Sequence, residues 1–79
     1  MQVGDRVTAN GFQNGTIRYI GRVSSVALDK VNYVGIELDE PEGSGDGTIS
    51  GHTYFTCPEY HALFVNVQMV EPMHSNNNS

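Results

Sequence analysis

The stretch that most constrains how this chain can fold is residues 33–51, YVGIELDEPEGSGDGTISG. Within it Val34, Ile36 and Leu38 alternate with Tyr33, Gly35, Glu37 and Asp39. A period of two is that of a strand, so the spacing predicts a half-buried strand with its aliphatic side chains inward. The opposite face is left to solvent or a partner. Pro41 then fixes φ and removes an amide donor, and Gly43, Gly45 and Gly47 permit positive φ and close approach of another backbone. Such a loop can serve as a ligand surface or simply as a tight connection.

The rest of the chain uses the same short units. Residues 2–9 read as a first strand with Val3 and Val7 on one face, and Asn10-Gly11 begins a turn with Phe12 in the loop. Asn14-Gly15 is the stronger turn signal, and residues 16–23 follow as a strand in which Arg18 and Arg22 share a face. That face is either the main positive feature or a solvated strand surface. Residues 24–32 read as a loop. Thr48-Ile49 and residues 53–57 read as strand pieces around Gly51-His52, residues 58–61 as a turn, and residues 62–65 and 67–70 as closing strands. The expected core is Val34, Ile36, Leu38, Ile49, Leu63 and Val65. Residues 73–79, with their asparagine run, show no apolar periodicity and are expected to form a disordered tail after a 1–72 domain. Short strands separated by turns predict an all-β barrel or sandwich.

A chain of 79 residues has little room for more than one small core. It contains no apolar segment of membrane-spanning length and no secretory pattern, so a cytoplasmic module of a larger protein is expected. The formal net charge of -5 argues against nucleic acid, whose binding depends on lysine and arginine displacing counterions, and against anionic lipid. Cys57 is the sole cysteine and excludes an internal disulfide.

Catalytic and metal chemistry find little to work with. Cys57, His52 and His61 would make a three-ligand metal site at most, and the strand spacing of Cys57 from Phe55 favours a buried structural thiol. A Cys57/His61 nucleophile pair has no orienting third group. Asp39, Glu40, Glu42 and Asp46 lack the ordered alternation of a calcium loop, and no lysine-serine or lysine-threonine step follows the glycines as a nucleotide loop requires. A non-enzymatic module without cofactor or metal is therefore expected. Peptide recognition needs only a rigid β scaffold, aromatic walls and loop amides. Tyr33, Phe55 and Phe64 are the candidate walls, and Ser44, Gly45, Asp46 and Gly47 the polar edge.

Several strings in order, Val3-Gly4-Asp5-Arg6-Val7, Gly15-Thr16-Ile17-Arg18-Tyr19-Ile20-Gly21, residues 34–41, residues 43–47, Tyr54-Phe55-Thr56-Cys57 and Leu63-Phe64-Val65, together resemble a CAP-Gly domain up to Val70. The resemblance implies a small SH3-like twisted β barrel with little or no helix. It also implies a monomeric binder of acidic C-terminal tails ending in an aromatic residue, such as those of tubulin or plus-end proteins, near microtubules. The family's loop signature is GKNDG, and here it is Gly43-Ser44-Gly45-Asp46-Gly47, without the lysine and the asparagine. Tyr33 replaces a tryptophan common in the family, and Ala62 a glycine. The resemblance thus implies a retained groove with weakened acidic-tail affinity. The Tyr54 to Cys57 and Ala62 to Val65 strings are similar to those of the cylindromatosis deubiquitinase. That similarity implies an alternative role as a scaffold or intramolecular contact module binding a proline-containing, non-acidic segment.

Overall fold

The computed structural model describes residues 2–21 and 32–73. The expectations for Arg22, Lys30, the connection up to residue 31 and the tail from residue 74 lie outside the described residues. The chain is all-β, with strands β1 (Arg6–Ala9), β2 (Gln13–Gly21), β3 (Tyr33–Leu38), β4 (Thr48–Ile49), β5 (His52–Thr53), β6 (Ala62–Asn66) and β7 (Val70–Pro72). A 3-10 turn at Val67–Met69 stands between β6 and β7. Five strands form an antiparallel sheet in the order β6-β3-β2-β1-β7, and β4 and β5 form a separate hairpin.

The core is Val7, Ala9, Ile17, Val34, Ile36, Leu38 and Val70, with Ile20, Leu63, Val65 and Val67 packed against it. Val70 on β7 and Leu63 on β6 come from opposite ends of the strand order yet pack on the same cluster. The sheet is therefore curled round its core, as the twisted barrel requires. The β3 alternation holds for Val34, Ile36 and Leu38. Ile49, expected in the core, is only half-buried and outside the cluster, because its two-residue strand pairs with β5 and not with the main sheet. Val3 is exposed, since the first strand begins only at Arg6.

The turn chemistry differs from the sequence expectation in one instructive way. Asn10 and Gly11 have φ of 55° and 85°, both left-handed, and Phe12 N donates to Ala9 O at 3.1 Å within the three-residue connection between Ala9 and its ladder partner Gln13. Asn14-Gly15 lies inside β2. A Cβ at Gly15 would come within 2.6 Å of both Glu37 O and Ile36 Cγ2, so this glycine serves the close approach of β2 to β3 and not a turn. The β2–β3 ladder pairs Ile17 with Ile36 but Tyr19 with Gly35, leaving Arg18 as the extra residue of a bulge.

Arg6 ties β1 to the exit of β3. Its Nη1 donates to Asp39 Oδ1 at 2.8 Å and to Thr16 Oγ1 at 2.9 Å, while Nη2 reaches Asp39 Oδ2. The guanidinium hydrogen bond holds the Asp39 carboxyl below its usual range. A carboxylate whose folded pKa is depressed stabilises the fold above its unfolded value of about 3.9, and that contribution disappears as pH falls through the lower folded value. Both side chains are nearly half exposed. Asp39→Asn should therefore cost less than about 1 kcal/mol at pH 7 in urea melts. The gap between variant and parent should narrow as the pH is lowered below about 3.9, and a gap that does not narrow would refute the ion-pair account.

Candidate functional site

The outer face of β3 carries the candidate site, and Gly35 lies beneath its rings. Gly35 lies on the face that the alternation left to solvent or a partner, and it is buried there because rings lie across it. A Cβ there would stand 2.6 Å from Phe55 Cε1, 3.0 Å from Phe64 Cε2 and 3.1 Å from Tyr19 Cβ. The rings form a connected wall. Phe55 and Phe64 have centroids 5.5 Å apart, Tyr54 packs edge-on to Phe64 at 5.5 Å and to Tyr19 at 4.9 Å, and His52 tilts against Tyr54 at 4.3 Å. Edge-to-face contacts at these spacings are the favoured arrangement of aromatic quadrupoles.

Of the aromatic candidates read from the sequence, Phe55 and Phe64 are brought together. Tyr33 stands at the entrance of β3 opposite Asn66, on the face of Gly35 but further along it. The sequence reading missed Tyr19, Tyr54 and His52. Tyr19 shares sequence parity with Ile17, which is fully buried in the core. The bulge at Arg18 reverses the parity, turning Ile20 to the core beside Val34 and Tyr19 to the outer face beside Gly35. Tyr54 and its neighbour Phe55 both pack on the Phe64 ring, an arrangement that simple alternation does not predict.

The 43–47 loop runs beside this wall and is pinned by main-chain hydrogen bonds. Gly43 N donates to Tyr60 O at 2.6 Å, Ser44 N to Ala62 O at 3.0 Å, and Ala62 N to Gly45 O at 3.0 Å. Cys57 N donates to Asp46 O at 3.2 Å, and Tyr54 N to Gly47 O at 2.9 Å. Ser44 and Asp46 are exposed, while Gly47, with φ of 101°, is buried against Phe55. Asp46 Oδ1 accepts from Thr48 N at 3.2 Å and so shapes the turn into β4. The loop is thus held in place beside the Phe55 end of the aromatic wall.

Carboxylates stand near the wall, with Glu37 and Asp46 both acting on Cys57. Arg18 faces Glu37 at 3.6 Å and Arg6 is held by Asp39, so both arginines among the described residues already have carboxylate partners. Burial pushes the Cys57 thiol up, with the Glu37 and Asp46 carboxylates adding to the effect. A raised thiol is the reverse of an activated nucleophile. Cys57 is half-buried, not fully buried as expected. His61 Nδ1 lies 2.7 Å from Leu38 O, and His52 is stacked on Tyr54, so the imidazoles proposed for a metal or a dyad are occupied with the scaffold. Among the described residues no three His, Cys, Asp or Glu side chains are placed to hold a metal ion.

The model of the CAP-Gly domain family matches residues 3–70. This chain belongs to the CAP-Gly family. Relatives of this CAP-Gly domain include CAP-Gly domain-containing linker protein 3 of Mus musculus, 41% identical over 70 residues, covering 89% of this chain and 12% of that protein. Cell polarity protein alp11 of Schizosaccharomyces pombe is 46% identical over 66 residues, covering 84% of this chain and 28% of that protein. Among solved structures, the CAP-Gly domain of human kinesin-like protein KIF13B superposes with a TM-score of 0.82 at 33% identity, covering 95% of this chain and 72% of that one. The chain therefore spans only a small part of the curated relatives' length. CAP-Gly domains are non-catalytic protein-interaction modules. The all-β fold and non-enzymatic role implied by the resemblance both hold.

Proposed function

We propose that this CAP-Gly domain binds an extended peptide, the C-terminal tail or an exposed segment of a cytoplasmic, microtubule-associated partner, between the aromatic wall and the 43–47 loop. The observation that carries this reading is the ring cluster of Tyr19, Tyr54, Phe55 and Phe64 laid over Gly35 and bordered by a pinned glycine loop. Tyr33 extends the same face, and Ser44, Gly45, Asp46 and Gly47 supply the polar edge. The domain acts as a monomer in this reading. Acidic tails bind weakly, because Ser44 offers no ammonium and both described arginines are already paired.

The test is a titration with a peptide ending Glu-Glu-Tyr at physiological salt. Binding weaker than micromolar is expected, with shifts at the ring residues and the 43–47 loop. Ser44 is exposed and a Cβ at Gly45 meets nothing within 4 Å, so Ser44→Lys with Gly45→Asn fits the loop as it stands. That double variant should bind about tenfold more tightly through a restored charge-assisted contact. Micromolar or tighter binding by the unmodified domain would show that the missing lysine is irrelevant. The acidic surroundings, Glu37 and Asp46 beside Cys57, favour as second reading a non-acidic, proline-containing segment, already partly ordered before it binds.

A further inference from the structure

The register of β3 and β6 decides where the main chain of β6 points. Leu38 N donates to His61 O at 2.7 Å, and Val67 N to Asn32 O at 3.2 Å. In an antiparallel ladder these bonds flank the pairs that exchange none of their own. Glu37–Ala62, Gly35–Phe64 and Tyr33–Asn66 are therefore the non-bonded pairs, and Leu63 and Val65 spend their amides and carbonyls on β3. The corresponding groups of Ala62, Phe64 and Asn66 turn outward, to the side on which the main sheet ends. At Ala62 that side is already used, since Ser44 and Gly45 pair with it as a one-residue bridge. Among the described residues nothing pairs with the Phe64 N–H and C=O or with the Asn66 N–H.

We infer that this open edge of β6 takes an extended peptide as an added strand, continuing the pairing that the glycine loop begins at Ala62. The inference rests on the groove reading above and gives it a binding mode. One residue joins the two, because the Phe64 ring belongs to the aromatic wall while its main-chain groups face the edge. A strand laid there turns alternate side chains toward the rings, and its main-chain bonds hold it whatever its charge. The occupant is a short peptide and not a second copy of the chain. Between the loop at Ala62 and the 3-10 turn at Val67–Met69 the edge offers Phe64 and Asn66 alone, which suffices for a peptide anchored by a pocket and is too short for a symmetric strand pair.

The experiment follows amide hydrogen exchange in the 79-residue chain as a saturating hexapeptide ending Glu-Glu-Tyr is added. Exchange at Phe64 should slow about tenfold or more, while Leu63 and Val65, already bonded to β3, should not change. In a series of hexapeptides methylated at successive backbone nitrogens, affinity should fall about tenfold where the amide meets Phe64 O and little at the adjacent positions. If the ring resonances shift but Phe64 stays unprotected and the methyl series is flat, the added strand is refuted and the groove reading stands. If neither rings nor edge respond to this peptide or to a proline-containing one, the groove reading fails and takes the inference with it. Protection of Phe64 that grows with protein concentration in the absence of peptide would assign the edge to a second copy and overturn the proposal.

Discussion

Gly47→Ala should destabilise this domain by about 3 kcal/mol or more, a large share of the roughly 4 to 12 kcal/mol expected for a chain this small. Two independent costs add. Gly47 has φ of 101°, which a side chain rarely adopts, and a Cβ at that position collides with the carbonyl oxygen of Phe55. The loop cannot relax outward, because Gly47 O accepts from Tyr54 N at 2.9 Å and Asp46 O from Cys57 N at 3.2 Å. Urea unfolding measures the loss. Gly45→Ala is the control, since its Cβ meets nothing within 4 Å and its φ is not positive, so a change within about 0.5 kcal/mol is expected. Equal effects from the two substitutions would mean that the loop does not have the tightness described.

Gly35→Val should remove peptide binding and cost about 3 kcal/mol by overpacking. Its first carbon alone would stand 2.6 Å from the Phe55 ring and 3.0 Å from that of Phe64. The rings must lift from the sheet, which separates the Phe55–Phe64 pair and loosens Tyr54 from both of its neighbours. The aliphatic core on the other face should persist, because Val34 and Ile36 keep their contacts, so the variant should still melt cooperatively. Changes in the ring-current-shifted resonances of Tyr54 and Phe64 would report the displacement directly. A Gly35→Val protein that bound peptide as the parent does would rule out the ring cluster as the binding wall.

What could be read from the sequence was whatever depends on local period and on residues with fixed backbone demands. The β3 strand, the break after Leu38 and the 43–47 loop follow from the alternation at Val34, Ile36 and Leu38 and from Pro41 and its flanking glycines. The turn at 58–61 was legible too, with His61 N donating to Pro58 O at 3.1 Å. The failures share one physical cause, since each depends on what another segment places nearby. Gly15 resembles a turn glycine until Ile36 and Glu37 are seen to press on it. Gly35 resembles an open position on the outer face until Phe55 and Phe64, 20 and 29 residues further along the chain, close over it. Residues 67–70 alternate well enough for one strand, yet Asn66 Oδ1 accepts from Gln68 N at 2.8 Å and caps a 3-10 turn that delays β7 to Val70. Of the rings around Gly35, the sequence reading named Phe55, from an irregular segment, and Phe64, from β6, and missed Tyr19, whose face depends on the bulge.

The bulge at Arg18 gives β2 two reading frames. Up to Ile17 the odd-numbered positions face the interior, and from Tyr19 onward the even-numbered ones do, so one nine-residue strand spells core on both sides of a frameshift. A ladder that paired Arg18 regularly with Gly35, without the bulge, would alter no residue of the groove and no residue of the core. It would nevertheless exchange their assignments, sending a tyrosine inward and an isoleucine outward. Which residues line the outer face of the sheet is therefore set by the irregular pairing at Arg18 as well as by the alternation of the strand.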